Sequence, residues 1–291
     1  MHESLALVHG LRGLVSAATL YGRSSLRVML RGHARGVDER LVFVVGSPRS
    51  GTTFVAESLG AQPGFVDLGE VKPLKIAIPE LFRLPEEEAA LRLRHMLERV
   101  RRLGFVRRLR GVEQTPEVSF VLAAALRAYP LARAIHVVRD GRDVVCSLLE
   151  RGWLSAARSG VDEVGYPYGS HARFWVDKGR AAEFEAMTDA RRAAAAWCRY
   201  VRSARAVAAR TLELRYESLV VDPAAAAGLV AEHLHADPLP LAESFARAHQ
   251  RSVGRWQRDL SAEQLAEVEA EAGPLLRELG YVEPKSTPTS S

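Results

Sequence analysis

Residues 41–54, LVFVVGSPRSGTTF, constrain the fold more than any other stretch. A short apolar run rich in β-branched residues ends at Gly46, the pattern of a buried parallel strand. SGTTFVAESLG follows as a helix whose first turn carries small hydroxyl residues and which Gly60 closes. Strand, glycine turn and helix together make an anion cradle. The successive backbone N–H groups of Arg49, Ser50, Gly51, Thr52 and Thr53 can wrap a phosphate at the positive end of the helix. A Walker-type loop reads G-x-x-x-x-G-K-[ST]. Here Gly46 and Gly51 keep its spacing and Thr53 its last hydroxyl, but Thr52 stands where the lysine belongs and Arg49 lies inside the loop. That lysine serves the β- and γ-phosphates of a triphosphate, so its absence argues against ATP or GTP. The loop suits a nucleotide whose single 5′-phosphate carries something small.

The rest of the chain alternates in the same manner. GFVDLGE reads as a second short strand, ARAIHVV as a third and TLELRY as a fourth, with helical segments between them. PEEEAALRLRHMLERVRRLG is a charged helix, PEVSFVLAAALRAYP another, and residues 152–170 a loop rich in Gly, Ser and Tyr; a long helical stretch then runs to about Ala209. The pattern predicts a doubly wound α/β fold with a mostly parallel sheet and helices on both faces. In such folds ligands bind at the carboxyl ends of strands. The turns after Gly46, Leu68 and Val138 all fall there. Residues 40–282 are expected to form this domain, preceded over 1–39 by a basic amphipathic helical arm and followed over 283–291 by a frayed tail.

Charge and cysteine usage add bounds. The 40 basic residues include four lysines, and the net charge is +5. An Arg- and Ala-rich composition accounts for that balance, which by itself names no partner. Cys146 and Cys198 lack any C-x-x-C or Cys/His spacing and read as buried thiols of a reducing compartment. No stretch has the apolar length of a membrane span, and the N-terminus lacks the pattern of a signal peptide. The chain reads as cytoplasmic.

A second motif is VVRDGRDVVCSL, residues 137–148, in which Arg139 ends the third strand and Ser147 lies eight residues on, in the next helix. Taken alone, such an arginine as readily makes a salt bridge with Asp140 or Asp143. Together with PRSGTT, however, the motif resembles the PAPS-dependent sulfotransferase family. There a [KR]-S-G-T-T loop holds the 5′-phosphosulfate of 3′-phosphoadenosine 5′-phosphosulfate (PAPS), and an arginine and a serine spaced eight apart hold its 3′-phosphate. The arginine at Arg49 follows the carbohydrate and tyrosylprotein branches. The resemblance covers residues 40–281 and implies a donor site of Arg49, Ser50, Gly51, Thr52, Thr53, Phe54, Arg139 and Ser147. It extends to Tyr216 of LRYESLVVDP, which would help hold adenine. It extends also to Arg251 and Gly254 of RSVGRWQRDLS, a late loop closing near the 3′-phosphate.

Sulfuryl transfer needs in-line oxygens, charge stabilisation on the departing phosphate and a base for the acceptor hydroxyl. Arg49 is the candidate for the charge. Glu70 is the candidate base: Gly69-Glu70 follows the second strand and resembles the Gly-Glu of the tyrosylprotein branch. His171 is the second choice, and His136 reads as a core residue. Where many relatives carry a lysine or histidine, this chain has Gln114. No carboxylate cluster calls for a metal. The eight arginines of residues 92–110 read as a solvated helix face, and the single nearby aromatic, Phe105, excludes a nucleic-acid role. The expected partner is a hydroxyl-bearing small molecule, glycan, glycolipid or peptide, and a homodimer is compatible with the reading. A nucleotide-dependent small-molecule kinase and a non-catalytic PAPS-binding module are the alternatives.

Overall fold

The computed structural model describes residues 41–99 and 109–282; the expected arm, the expected tail and part of the arginine-rich stretch lie outside them. The described residues fall into two compact units. One takes residues 41–46, 51–99, 109–137 and 203–248, and the other 47–50, 138–202 and 249–282.

The first unit is built on a five-stranded sheet. Its strands are β1 (Leu41–Val45), β2 (Phe65–Gly69), β3 (Arg110–Glu113), β4 (Arg133–Val138) and β5 (Thr211–Arg215), in the order β2-β3-β1-β4-β5. The pairings of β1 with β3, β1 with β4 and β2 with β3 are parallel. β1 is buried along its whole length, as its unbroken LVFVV requires of a strand covered on both faces. Helix α1 (Thr52–Gly60) follows β1, α2 (Lys72–Leu81) and α3 (Glu86–Arg99) follow β2, and α4 (Leu122–Ala128) precedes β4. Helices α8 (Tyr216–Val221), α9 (Pro223–Leu234) and α10 (Pro238–Phe245) come after β5.

The sheet has one strand more than the sequence pattern led us to expect, because β3 carries Arg, Gly and Glu instead of an apolar run. Arg110 ties this strand to a distant helix end. Its guanidinium lies over the Phe65 ring at 4.8 Å and donates to the carbonyls of Leu234 and His235, the otherwise unpaired groups at the end of α9. The expected helix after Pro116 also differs: a 3₁₀ segment, Pro116–Val121, precedes α4.

The second unit has a core of its own, with Val144, Leu148, Phe174, Trp197 and Leu276 fully or almost fully buried. Its helices are α5 (Gly141–Arg151), α6 (Ala181–Ala186), the greater part of α7 (Asp189–Arg205), α11 (Trp256–Asp259) and α12 (Ala262–Glu278). The long helix expected before Ala209 is interrupted at residues 187–188, and residues 152–170 are irregular as expected. Cys146 and Cys198 are free and buried, and burial pushes both thiols up to about 12. Among the described residues no helix is long and apolar enough to cross a membrane.

The turn after β1 is the tightest point of the first unit. Gly46 has φ +148°, and a Cβ there would lie 2.4 Å from the Val137 carbonyl oxygen. Backbone cannot yield as a flexible side chain can. Gly46→Ala is expected to cost ~1–3 kcal/mol, read as a lowered urea midpoint at unchanged m-value.

Candidate functional site

In the second unit, each residue of Arg139-Asp140-Gly141-Arg142-Asp143 has a distinct task. The Arg139 carbonyl accepts from Trp197 Nε1 at 3.2 Å, and its guanidinium donates to the carbonyls of Arg49, at 3.2 Å, and Ser252. Asp140 caps α5 through the Arg142 N–H at 2.9 Å and pairs with the Arg142 side chain at 2.7 Å. Gly141 leaves room for the indole of Trp197, whose atoms lie 2.8 Å from where a Cβ would sit. Arg142 stacks 3.9 Å from the ring centre of Trp256. Asp143 accepts from the backbone N–H groups of Gly254 at 2.8 Å and Trp256 at 3.0 Å, and faces Arg139 at 3.8 Å. The late loop is thereby fastened to the first turn of α5. Arg251, on that loop, is exposed.

Arg49 belongs to the same unit. Its backbone is left-handed at φ +73°, and its Nε donates to Ser147 Oγ at 2.9 Å. The guanidinium pKa is lowered first by burial and then by the neighbouring cations Arg151 and Arg139. Arg255 adds to the repulsion and Glu150 opposes it. Ser50 is fully buried, and its hydroxyl has no hydrogen-bond partner among the described residues. Arg49, Arg139 and Ser147, from distant points of the sequence, thus meet in a cationic cluster.

The first unit carries the other candidates. Gly51, at φ +100°, starts α1, and no side chain caps the helix. The buried Tyr216 ring lies against it, 2.6 Å from where a Cβ would be. Thr52 is buried, Thr53 exposed, and Phe54 packs its ring on Phe245 at 6.2 Å. Glu70 follows β2 directly and is exposed, its carboxylate 2.9 Å from Lys75 Nζ. Lys75 is buried in α2 and also faces Glu117 at 3.7 Å. Gln114 follows β3, buried, with no hydrogen-bond partner for its side-chain oxygen among the described residues. Because β2, β3 and β1 are consecutive and parallel, Glu70, Gln114 and the turn after β1 leave the sheet at one edge. Two strand spacings, ~10 Å, separate the first from the last.

His136 is buried in β4 and pairs with Glu213 at 3.4 Å, as a core histidine would. His171 Nδ1 lies 2.6 Å from Glu185. The aromatic rings of the 152–170 loop are already covered: Arg158 lies over Tyr168 at 3.8 Å, Arg173 over Trp153 at 5.2 Å, and Tyr166 meets Trp175 edge-on. Arg192 ties both ends of the loop through the carbonyls of Leu154 and Gly169. Arg92 pairs with Glu80 and Glu88, in keeping with a solvated helix face, while Arg94 donates to the Ala128 carbonyl. Among the described residues no group of three or more His, Cys, Asp or Glu could hold a metal ion.

Comparison with known proteins bears on the family and the fold. The sequence profile of the sulfotransferase family matches residues 42–240, about two-thirds of the chain. The chain belongs to the sulfotransferase family. Its fold is similar to that of the sulfotransferase domain from the curacin biosynthetic pathway, at 14% identity and a TM-score of 0.57 over 86% of this chain and 100% of that one. The sulfotransferase domain from the Synechococcus PCC 7002 olefin synthase is likewise similar, at 16% identity and a TM-score of 0.52 over 87% and 98%. No curated protein matches.

Three participants escaped the sequence reading. Asp143 was one of two possible partners for Arg139, and its grip on the late loop has no local signal. Lys75 had one: it is among four lysines and stands five residues after Glu70. Glu113, at the end of β3, is fully buried, and desolvation raises its pKa to about 7 against the hydrogen bonds from Thr115 and Val71. An acid so raised binds a proton in the folded chain that the unfolded chain has released. Stability therefore falls as pH rises from ~4.5 to ~7, by about 3 kcal/mol in all. Glu113→Gln is expected to remove this slope, so that urea midpoints measured from pH 5 to 8 flatten relative to the parent.

Proposed function

We propose that the chain transfers a sulfuryl group from PAPS to an acceptor hydroxyl, with Glu70 as general base. The observation that carries the reading is the convergence of Arg49, Ser147 and Arg139, joined by hydrogen bonds of 2.9 and 3.2 Å among neighbouring cations. Such a cluster suits a ligand with two separate phosphate groups, and the family supplies one in PAPS. The residues fit it. Arg139 and Ser147 would hold the 3′-phosphate. The loop N–H groups, the Ser50, Thr52 and Thr53 hydroxyls and Arg49 would hold the 5′-phosphosulfate. Gly51 and Phe54 would border it, Tyr216 would support the adenine, and Arg251 and Gly254 would close near the 3′-phosphate.

When bound, PAPS supplies an activated sulfuryl group whose departure leaves charge on a phosphate oxygen. Arg49 and the loop amides are suited to balance that charge. Glu70 accepts the acceptor's proton, and Lys75 fixes the carboxylate's orientation. As the proton arrives, Lys75 keeps Glu117 as counter-ion. Gln114 can donate a hydrogen bond but no charge, which leaves the cationic work to Arg49. The hydroxyl-bearing acceptor is a small molecule, glycan, glycolipid or peptide, and the site of action is the cytoplasm.

Calorimetry with adenosine 3′,5′-bisphosphate, AMP and Mg-ATP tests the donor. The bisphosphate should bind most tightly, and Arg139→Ala should weaken it by about ten- to a hundredfold while changing AMP little. Tightest binding of Mg-ATP would point to a kinase, and equal losses for both nucleotides would reduce Arg139 to a structural ion pair.

The base is tested by radiolabelled sulfate transfer. Glu70→Gln should lower kcat by ~10²–10⁴-fold with donor affinity preserved, and by less for an acidic phenol than for an aliphatic alcohol. Normal turnover in Glu70→Gln with a dead His171→Ala would move the base to the His171–Glu185 pair.

A further inference from the structure

We infer that Glu113 and Thr115 are positioning residues for the acceptor side of the reaction, fastening the turn that carries Glu70 to the turn that carries Gln114. The inference rests on the sulfuryl-transfer reading, and its observations lie wholly within the first unit. β2 and β3 pair in parallel up to Gly69 and Glu113, and past that point no ladder holds the two chains together. A set of side-chain bonds takes over. The Val71 N–H donates to Thr115 Oγ1 at 3.0 Å and approaches Glu113 Oε1 at 3.4 Å. The Thr115 N–H donates to the same Glu113 oxygen at 3.0 Å, and the Thr115 hydroxyl donates to it as well. The Gln114 N–H reaches the Gly69 carbonyl at 3.5 Å.

Each candidate is thus held from both sides. Glu70 lies between Gly69, left-handed at φ +64°, and the tethered Val71; Gln114 lies between Glu113 and Thr115. Val71, Glu113 and Thr115 are fully buried, whereas Glu70 is exposed. The clasp is a closed frame presenting one open carboxylate. It is also a costly way to close a turn, since a buried carboxylate loses its hydration and Oε2 of Glu113 has no hydrogen-bond partner among the described residues. That spare oxygen explains how the clasp tolerates titration. A proton on Oε2 leaves Oε1 free to accept, so the bonds to Thr115 and Val71 survive in both charge states, and an amide can replace the acid.

The test compares four variants with the parent chain in steady-state sulfate transfer, alongside calorimetry with adenosine 3′,5′-bisphosphate. Thr115→Val keeps the volume but loses the hydroxyl, and should lower kcat about ten- to a hundredfold with nucleotide Kd unchanged. Thr115→Ser should restore most of the loss. Glu113→Gln should stay within about threefold of the parent, whereas Glu113→Ala should fall like Thr115→Val. Amide exchange at Val71 should quicken in Thr115→Val and not in Thr115→Ser, whatever acceptor is used. Parental kcat in Thr115→Val, equal losses of kcat and nucleotide affinity, or failure of serine to rescue would each overturn the inference. Should Glu113→Ala not fold, the threonine pair decides. A parent chain that binds the bisphosphate and turns over while Thr115→Val matches it removes only the positioning role. A parent that neither binds nor transfers removes the sulfotransferase reading and this inference with it.

Discussion

The carbonyl of Val137 lies so close to Gly46 that no side chain fits between them, and the chain must turn there on backbone alone. Much of the candidate site depends on that contact. With β1 and β4 held this near, the chain leaving β1 passes directly into the loop and α1, whose opening N–H groups have no partner within the helix. A second glycine, Gly51, permits the left-handed step into the helix and the approach of the Tyr216 ring. A bulkier residue at either point would displace the amides before any ligand could use them. The Gly46 N–H is itself anchored, donating to Ser119 Oγ of the 3₁₀ segment at 3.2 Å.

Parallel strands end without hairpins, so each carboxyl edge presents turns that nothing in the ladder restrains. In the first unit a buried acid receiving backbone N–H groups takes over this restraint, and in the second a buried acid of the same kind holds a loop to a helix. Glu113 receives those of Val71 and Thr115, and Asp143 those of Gly254 and Trp256. A carboxylate is costly to bury, but it accepts several donors at once and enforces their geometry more strongly than a hydroxyl could. Its desolvation raises the pKa of both acids. In each case the segment so fastened carries residues with a proposed part in the chemistry.

How legible this was in the sequence depended on where the information lay. β1, its glycine turn and α1 form one contiguous pattern whose apolar run, turn residues and hydroxyls agree, and they stand where the pattern put them. The Arg139–Ser147 spacing was equally local. β3 was not legible because its stability comes from elsewhere: Arg110 spends its charge on the carbonyls at the end of α9, more than 120 residues away in sequence. Nor could a pattern show that Trp153, Tyr166 and Tyr168 would pack against Arg173, Trp175 and Arg158. Lys75 is the intermediate case, visible as a rare lysine but without meaning until α2 turned it toward Glu70 and Glu117.

The electrostatics of the second unit bear on what an arginine at position 49 can do. Arg49 stands among Arg139, Arg151 and Arg255, and Glu150 stabilises its charge. Glu150 is largely occupied in turn by Arg255, which also holds Asp259. A guanidinium keeps its charge with the pKa lowered, and its planar fork bonds Ser147 while leaving other N–H donors for an anion. Under the proposed function, the repulsion among the arginines becomes part of the recognition. An incoming anion relieves it in proportion to its charge, so a ligand with two phosphate groups gains more than one with a single group, before any contact to its base is counted.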